Sequence, residues 1–268
     1  MILVVLLICF CGQAFAQNAL YVSAKGSDDN DGLTEATALQ SLDVATLLAT
    51  VKGINVIVIG TLTMGNAMVY EKGHNSIFRF AGADDRRQVI VSGKPGATGS
   101  DRAVLSGKGT DQNVVILVSI RKDANIRFEN IEITGLVHEN TTGIGIEEGG
   151  RVTLGPGAVV RGNDVGIIIS DGTCVIDGGE VRDGRGAGIL CGEKSIVTMR
   201  GGAVRNNGGS GVGVAKGGHF TMSGGTITGN RQPYQGGGVI VYSGGRFDQT
   251  GGTVSGNTAP NNADIYRE

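Results

Sequence analysis

The chain has 268 residues, of which 48 are glycine, and it has no tryptophan. Glycine is therefore far above its usual frequency of about 7%, but there are only 4 prolines and no repeating Gly-X-Y triplet, which excludes a collagen-like protein. The formal net charge is −2, with acidic and basic residues interspersed, and this disfavours a nucleic-acid-binding protein because such proteins present a basic face.

Residues 1–16 have the features of a secretory signal peptide. An apolar run from Ile2 to Cys11 is followed by Ala14-Phe15-Ala16, a pattern that precedes signal-peptidase cleavage, so the mature chain would begin at Gln17. The run is too short for a stable membrane anchor, and no later segment is apolar enough to span a bilayer. The sequence predicts an exported protein without a membrane span after cleavage, located outside the cell, at its surface or in the periplasm.

Residues 17–53 are predicted to form an N-terminal segment that ends in a capping helix. Four apolar residues recur at near-helical spacing within 34–51: Leu39, Leu42, Ala45 and Leu48. The preceding stretch SDDNDG (27–32) is interpreted as an Asx-rich turn. The alternative, half of a calcium-binding loop, is disfavoured because Ser27 occupies the first position, where a carboxylate is needed.

The second half of the chain repeats a short phrase built on glycine pairs, as in GGTITGN (224–230) and GGTVSGN (251–257). The second glycine of each pair recurs after 22, 23, 23 and 27 residues: Gly157, Gly179, Gly202, Gly225 and Gly252. Each unit holds three short apolar pieces of period two, bounded by turn residues. This pattern predicts an all-β fold, a parallel β-helix solenoid over 54–268 with three short strands per coil, irregular over 54–142 and regular over 143–268.

The alternation assigns two inward columns of side chains. The first contains Ile144/Ile146, Ile167/Ile169, Ile189/Cys191, Val212/Val214 and Val239/Val241. The second contains Val152/Leu154, Cys174/Ile176, Val197/Met199 and Phe220/Met222. Residues between them are expected to face water. An asparagine closes the third piece in four coils, where it can stack and hydrogen-bond along the solenoid axis: Asn163, Asn207, Asn230 and Asn257.

A row of arginines is one candidate binding site. Three arginines precede the asparagine corner in successive units and would form a basic ridge for an anionic glycan: Arg161, Arg182 and Arg205. The favoured alternative is that these side chains are solvated and pair locally with Asp164 and Asp183.

The insertion RQPYQ (231–235) is a second candidate binding site. It lengthens one repeat, and insertions in solenoids become loops on one face. Tyr234 and Tyr242 would stack on a sugar ring, with Arg231 and Gln235 as hydrogen-bond donors. An exposed loop without a ligand is the commoner outcome for such an insertion.

Acidic residues at another corner are a candidate calcium site. Three carboxylates would meet on adjacent coils: Glu147, Glu148 and Asp171. A solvated acidic corner is the favoured alternative, because Ca²⁺ needs six or more oxygen ligands. The loop 84–87 (DDRR) groups further charges of both signs. His219 occupies an outward position and is interpreted as a lone solvated side chain.

Two cysteines, Cys174 and Cys191, fall at inward positions of different strands in neighbouring coils. An exported protein permits a disulfide, but two small buried apolar side chains also fit these positions. Because a disulfide demands a short Cα separation, we interpret the two thiols as unbridged.

Several stretches resemble a known superfamily. YVSAKGSDDNDGLTEATALQSLDVA (21–45) and RFENIEITG (127–135) resemble secreted right-handed parallel β-helix proteins of the pectate-lyase-like superfamily. The C-terminal coils, with GGTITGN…GGGVIV and GGTVSGN…ADIY, are similar to bacterial surface proteins of the polymorphic outer-membrane type. The resemblance implies a right-handed solenoid and export. It does not imply one activity, because this fold carries many functions.

The resemblance sets the expected functions. Enzymes of the superfamily act on polysaccharides, but the Gly-His-Gly motif of its galacturonan hydrolases does not occur here. We therefore expect an exported, non-enzymatic protein for adhesion or glycan binding, with a polysaccharide or a host or surface protein as partner. The alternatives are a polysaccharide lyase or glycosidase acting on an acidic glycan, and a structural component of the envelope. No cofactor is expected unless the carboxylates at the acidic corner hold Ca²⁺.

Overall fold

A computed structural model of the chain describes residues 19–63, 76–81, 87–108, 115–135 and 139–268. Within these ranges, 25 strands form three parallel sheets, one of nine strands and two of eight. From the second strand onward, neighbours in each sheet are three strands apart in the chain, so the chain visits the three sheets in turn and then starts the next coil. The predicted all-β parallel solenoid with three strands per coil is confirmed.

The strands are numbered in chain order. The first sheet contains β1 Ala19–Ser23, β2 Asn55–Ile59, β5 Gln88–Gly93, β8 Asn125–Glu129, β11 Gly150–Leu154, β14 Gly172–Ile176, β17 Ser195–Met199, β20 His219–Met222 and β23 Arg246–Gln249. The second contains β3 Thr61–Leu62, β6 Ala103–Ser106, β9 Ile131–Thr134, β12 Val159–Arg161, β15 Glu180–Arg182, β18 Ala203–Arg205, β21 Thr226–Thr228 and β24 Thr253–Val254. The third contains β4 Ser76–Ala81, β7 Ile116–Arg121, β10 Thr142–Ile146, β13 Val165–Ile169, β16 Ile189–Cys191, β19 Val212–Val214, β22 Val239–Val241 and β25 Ile265–Arg267.

One α-helix, α1 (Leu42–Lys52), connects β1 to β2 in the described chain and packs against β1, β2, β4 and β5. Its buried apolar residues, Leu42, Ala45 and Ala49, join the hydrophobic core of the solenoid. The capping role predicted for this helix fits that packing, because α1 covers the core where the solenoid begins. None of the described helices has the length and apolar character needed to cross a membrane.

The helix begins at Leu42, so the prediction of helix over 34–51 was wrong for its first turns. The carboxylate of Asp28 accepts hydrogen bonds from the backbone N–H groups of Gln40 (3.0 Å) and Ser41 (2.8 Å). Asp31 accepts from Leu33 N–H (2.9 Å) and from the Thr37 hydroxyl (2.6 Å). These side-chain bonds hold the backbone before Leu42 in turns. The carboxylates of 27–32 thus serve an Asx-rich turn, as predicted.

The core consists of like residues stacked from coil to coil. In the third sheet, Ile144, Ile167, Ile189, Val212 and Val239 lie in register and are buried. In the first sheet, the column Val152, Cys174, Val197, Phe220 and Phe247 is also buried, and the last two rings stack at 4.9 Å. Both predicted columns are confirmed, because period-two alternation is a direct consequence of strand geometry.

The two cysteines are free and buried, which confirms that they are unbridged. Burial raises the pKa of the Cys174 thiol to about 12. Burial also raises the pKa of Cys191, although a hydrogen bond with Ser195 (Sγ–Oγ 3.1 Å) opposes the shift. Both side chains therefore act as small apolar core residues.

A ladder of buried amide side chains closes the corner between the second and third sheets. Asn207 Nδ2 donates to Asn230 Oδ1 (2.8 Å), and Asn230 Nδ2 donates to Asn257 Oδ1 (2.9 Å). Asn257 Nδ2 in turn donates to Asp264 Oδ1 (3.0 Å). The predicted stacking is confirmed for these three asparagines. Asn163 lies beyond a gap, because the coil between it and Asn207 has Gly184 at the corresponding position.

Candidate functional site

A polar depression of about 400 Å³ opens at the corner between the second and third sheets, beside the gap in the ladder. We call it the corner groove; its lining residues are Asp183, Gly184, Asn206, Asn207, Gly208, Gly229 and Arg231. Successive coils turn here through left-handed residues with φ of 55° at Asp183, 57° at Asn206 and 68° at Gly229. Three of the lining residues are glycines, so backbone forms much of the floor and a ligand can approach it closely.

The arginine ridge borders this groove, but its charges are largely neutralised. Arg161, Arg182 and Arg205 lie in register, as predicted. Glu180 Oε2 lies 3.0 Å from Arg182 Nε and 2.9 Å from Arg205 Nη2, and Arg182 also pairs with Asp183. The favoured interpretation of locally paired arginines is therefore closer to the structure than a free basic ridge.

The partners of the ridge differ in part from those predicted. The pair of Arg182 with Asp183 is confirmed, whereas Asp164 lies 3.7 Å from Arg185. Arg161 instead pairs at 2.6 Å with Glu132, whose other oxygen is 3.0 Å from Arg102. Glu132 is only 3% exposed. The sequence alone could not reveal this pair, because Glu132 lies in an irregular coil whose register with the first regular coil is not readable from spacing.

Arg231 is the cationic side chain among the residues that line the corner groove. Its side chain is exposed and makes no ion pair with the residues that the structure describes. The other charged lining residue is Asp183, whose carboxylate pairs with Arg182. The guanidinium of Arg231 is therefore the group in the groove wall that is available to an anionic ligand.

The insertion 231–235 does not form a single platform with Tyr242. Isolated parallel bridges join Arg231 to Thr258 and Gln235 to Asn261, so the insertion is attached to the next coil. Tyr234 is 75% exposed. Tyr242 directly follows the C-terminal end of β22, and it lines a different depression from the one that Arg231 lines. The structure therefore divides the predicted binding residues between two places.

Tyr242 lines an apolar depression on the outward face of the third sheet. This depression, about 150 Å³ around Gly213, adjoins another of about 200 Å³ around Gly145. Ile168 and Ser170 line both, so we call the pair of depressions the sheet groove. The expectation that the residues between the inward columns face water holds for Ile168 and Leu190, which are half-buried although apolar. It was wrong at Ile240, which follows Gly213 in the same outward row and is 2% exposed. The pieces GIII, GILC and GVIV already carry apolar residues at these outward positions.

The acidic corner does not assemble into the predicted triad. Glu147 Oε2 lies 3.9 Å from Arg121 Nη2, and Glu148 accepts a hydrogen bond from the same guanidinium. Asp171 turns the next coil with φ 59°. Within the described ranges, no three His, Cys, Asp or Glu side chains group closely enough to hold a metal ion. Residues 84–86 of the charged loop lie outside the described residues, as does the predicted signal peptide.

His219 is not the lone solvated side chain that the sequence suggested. Its Nε2 lies 2.7 Å from Asp248 Oδ2, and Arg246 Nε donates to the same oxygen at 2.7 Å. The hydrogen bond with His219, followed by that with Arg246, lowers the pKa of Asp248. These residues lie on the adjacent strands β20 and β23, so the pairing of the two strands brings together side chains that are 29 residues apart in the sequence.

Comparison with known proteins identifies the fold family. Residues 112–263 match the family model described as the right handed beta helix region. No curated protein matches the chain. A crystal structure of the GH136 lacto-N-biosidase from Eubacterium ramulus is similar with a TM-score of 0.32 and 13% identity, over 94% of this chain and 55% of that one, so the chain spans about half of that protein's length. Because the family model covers more than half of the sequence, the chain belongs to the right-handed β-helix family.

Proposed function

We propose that this chain is an exported, non-enzymatic β-helix protein that binds glycans, and that the corner groove holds a sugar residue bearing a carboxylate. The observation that carries the proposal is the guanidinium of Arg231, which makes no ion pair within the described part of the chain and lies on the wall of a groove floored by glycines. Arginine binds carboxylates through two parallel hydrogen bonds. Asp183 and Asn206 line the same groove and offer acceptors and donors for sugar hydroxyls.

The size of the groove suits this ligand. Its volume of about 400 Å³ lies within the range of small-molecule sites, about 300–1,000 Å³. The groove is open and polar, and it follows the corner of successive coils, so a longer polymer can extend beyond the bound residue. This geometry supports surface adhesion through a polysaccharide.

The positions of the carboxylates support binding over hydrolysis or elimination. Glu132 is buried between Arg102 and Arg161, and Glu180 is held by two arginines. Neither of these carboxylates lines the corner groove, where a general acid or base would have to contact the glycan.

The binding test uses trigalacturonate as the acidic probe and isothermal titration calorimetry as the measurement. Arg231→Gln is expected to weaken binding about tenfold, which corresponds to the loss of one charge-assisted pair. Arg200→Gln is the matched control, since Arg200 is an exposed arginine that does not line the groove. Unchanged affinity in Arg231→Gln would refute this site.

The same samples distinguish the alternatives. Incubation with polygalacturonate, with and without Ca²⁺, is followed by assays for unsaturated and reducing ends. Product formation would replace the proposal with a lyase or a glycosidase. Failure of all acidic glycans to bind would leave a structural envelope component as the better account.

Export is tested separately by N-terminal sequencing of the protein recovered outside the cytoplasm. The proposed cleavage after Ala16 predicts a first residue of Gln17. An intact N-terminus on protein retained in the cytoplasm would refute export.

A further inference from the structure

We infer that the sheet groove is a second, separate site, which binds a neutral oligosaccharide lying along the solenoid axis. The inference rests on the proposed glycan-binding function, but it assigns a different face of the molecule and a different class of sugar. The occupant is argued from the shape of the groove and from the side chains that line it.

Four outward positions in successive coils of the third sheet form the floor. Gly145, Ile168, Leu190 and Gly213 lie in register, one above the other. Neighbouring strands are about 4.8 Å apart, so three steps from Gly145 to Gly213 span about 14 Å. The two glycines carry no side chain at the ends of this row, and each lines one lobe of the groove beside a neighbouring side chain, Ile116 at Gly145 and Leu190 at Gly213. The sheet groove is therefore elongated along the solenoid axis, which suits an oligosaccharide of several sugar rings better than a single sugar.

The walls match the two kinds of surface that a sugar ring presents. Ile168, Leu190 and the ring of Tyr242 offer apolar contact for the C–H face of a pyranose. Tyr242 is 43% exposed, which leaves part of its ring open to a ligand. The Ser170 hydroxyl lies where the two lobes meet, and the Glu147 carboxylate lies at the other end, so both can bond sugar hydroxyls.

The charge of the sheet groove selects a neutral ligand. Among its lining residues, the charged side chain is Glu147, a carboxylate. A uronic acid placed here would meet a like charge, whereas the corner groove offers it Arg231. The two grooves are therefore expected to discriminate neutral and acidic sugars in opposite senses.

The test measures binding of three neutral probes, the β-1,4-linked hexasaccharides of glucose, xylose and N-acetylglucosamine, by titration calorimetry. Tyr242→Ala is expected to weaken the best of them about tenfold. Tyr234→Ala is the matched control, because Tyr234 is an exposed tyrosine that does not line the sheet groove. A second variant, Gly213→Val, fills one lobe, since a Cβ there would lie 3.0 Å from Leu190 Cδ2; its fold is checked by circular dichroism.

The outcomes separate this inference from the proposed function. Loss of neutral-sugar binding in Tyr242→Ala and Gly213→Val, with trigalacturonate binding unchanged in Tyr242→Ala, supports a second site. Neutral binding that is lost only in Arg231→Gln would place the neutral sugar in the corner groove and overturn the inference. Dissociation constants above about 10 mM for all three probes would also overturn it, while binding of trigalacturonate would leave the proposed function standing.

Discussion

Two corners of this solenoid use the same backbone conformation for different purposes. Between the third and first sheets, Glu148, Asp171 and Lys194 turn the chain with φ of 52°, 59° and 56°. Between the second and third sheets, Asp183 and Asn206 turn it with φ of 55° and 57°. At the second corner the next residue is an amide buried in the ladder, as at Asn207, or the glycine that interrupts the ladder, Gly184.

The difference shows that the side chain after the turn, and not the turn itself, decides what a corner does. Where an asparagine follows, its amide bonds to the coil above and the corner is closed. Where Gly184 follows, the inward amide is missing and the ladder stops, while Gly184 itself lines the corner groove. The corner between the third and first sheets, where Glu148 lies, has ion pairs at the surface, such as Arg121 with Glu148, and such pairs contribute little to stability.

Asn230→Ala should have the largest effect on stability, because it breaks the ladder at its centre. Its side chain donates to Asn257 Oδ1 and to the Val204 carbonyl, and it accepts from the backbone and side chain of Asn207. Leaving several buried groups without partners should lower the free energy of unfolding by about 3 kcal/mol or more, measured by urea denaturation.

The control for this prediction is Asn206→Gly, one residue before the ladder in the neighbouring coil. Asn206 is exposed and has a left-handed φ that glycine adopts readily, so the change should be within about 0.5 kcal/mol. Equal losses in the two variants would contradict the distinction between the turn and the ladder.

Glu132→Gln should have the next largest effect. Glu132 lies in the second sheet, is 3% exposed, and holds Arg102 and Arg161 on its two oxygens. Removing its charge should cost about 2 kcal/mol, less than for a fully buried pair because both arginines are partly exposed. Glu148→Gln at the corner between the third and first sheets should cost less than about 1 kcal/mol, and thermal unfolding of both variants compares them directly. A larger loss for Glu148→Gln than for Glu132→Gln would contradict the greater weight given to the buried pair.

The confirmed features were those that depend on strand geometry alone. The inward columns and the asparagine stack could be predicted because each repeats in register with the coil, as with Asn207, Asn230 and Asn257. The end of the ladder could not be predicted, since its last acceptor, Asp264, lies outside the repeating units, after Asn257. The corner groove does not follow from the repeated asparagines, although Gly184 stands in their column in the sequence. The buried Glu132 pair depends on the register of irregular coils, which spacing does not determine.

Gly184→Asn should extend the ladder and raise the free energy of unfolding by about 1 kcal/mol, the net value of one added hydrogen bond. Gly184 is not in the left-handed region, and a Cβ there would lie 3.1 Å from Asn207 Oδ1 and 3.3 Å from the carbonyl oxygens of Asn163 and Asp164, so these neighbours must move by a few tenths of an ångström to admit it. Gly208→Ala is the contrasting variant, because its Cβ would lie 2.1 Å from the Arg185 carbonyl oxygen, and it should destabilise the fold. Chemical denaturation of the two variants should give opposite signs.

Asp31 provides the smallest expected effect, at a turn outside both corners. Hydrogen bonds from Thr37 and from the Leu33 backbone lower the pKa of its carboxyl. A lowered pKa in the folded state stabilises the protein above the unfolded pKa of about 3.9, and this contribution is lost as pH falls through the folded value. Asp31→Asn should therefore lower Tm near neutral pH, and the difference from the natural protein should shrink as the pH falls below the unfolded pKa of about 3.9 and through the lower folded pKa. A difference in Tm that does not change with pH would show that charge is not involved.

The most direct test of the central claim is the affinity of trigalacturonate for the natural protein and for Arg231→Gln, measured together with the unfolding free energy of each. If Arg231 holds the sugar carboxylate in the corner groove, Arg231→Gln should bind about tenfold more weakly, while remaining as stable as the natural protein. Unchanged affinity in a stable, folded Arg231→Gln protein would contradict the account, because it would place the glycan away from the corner groove.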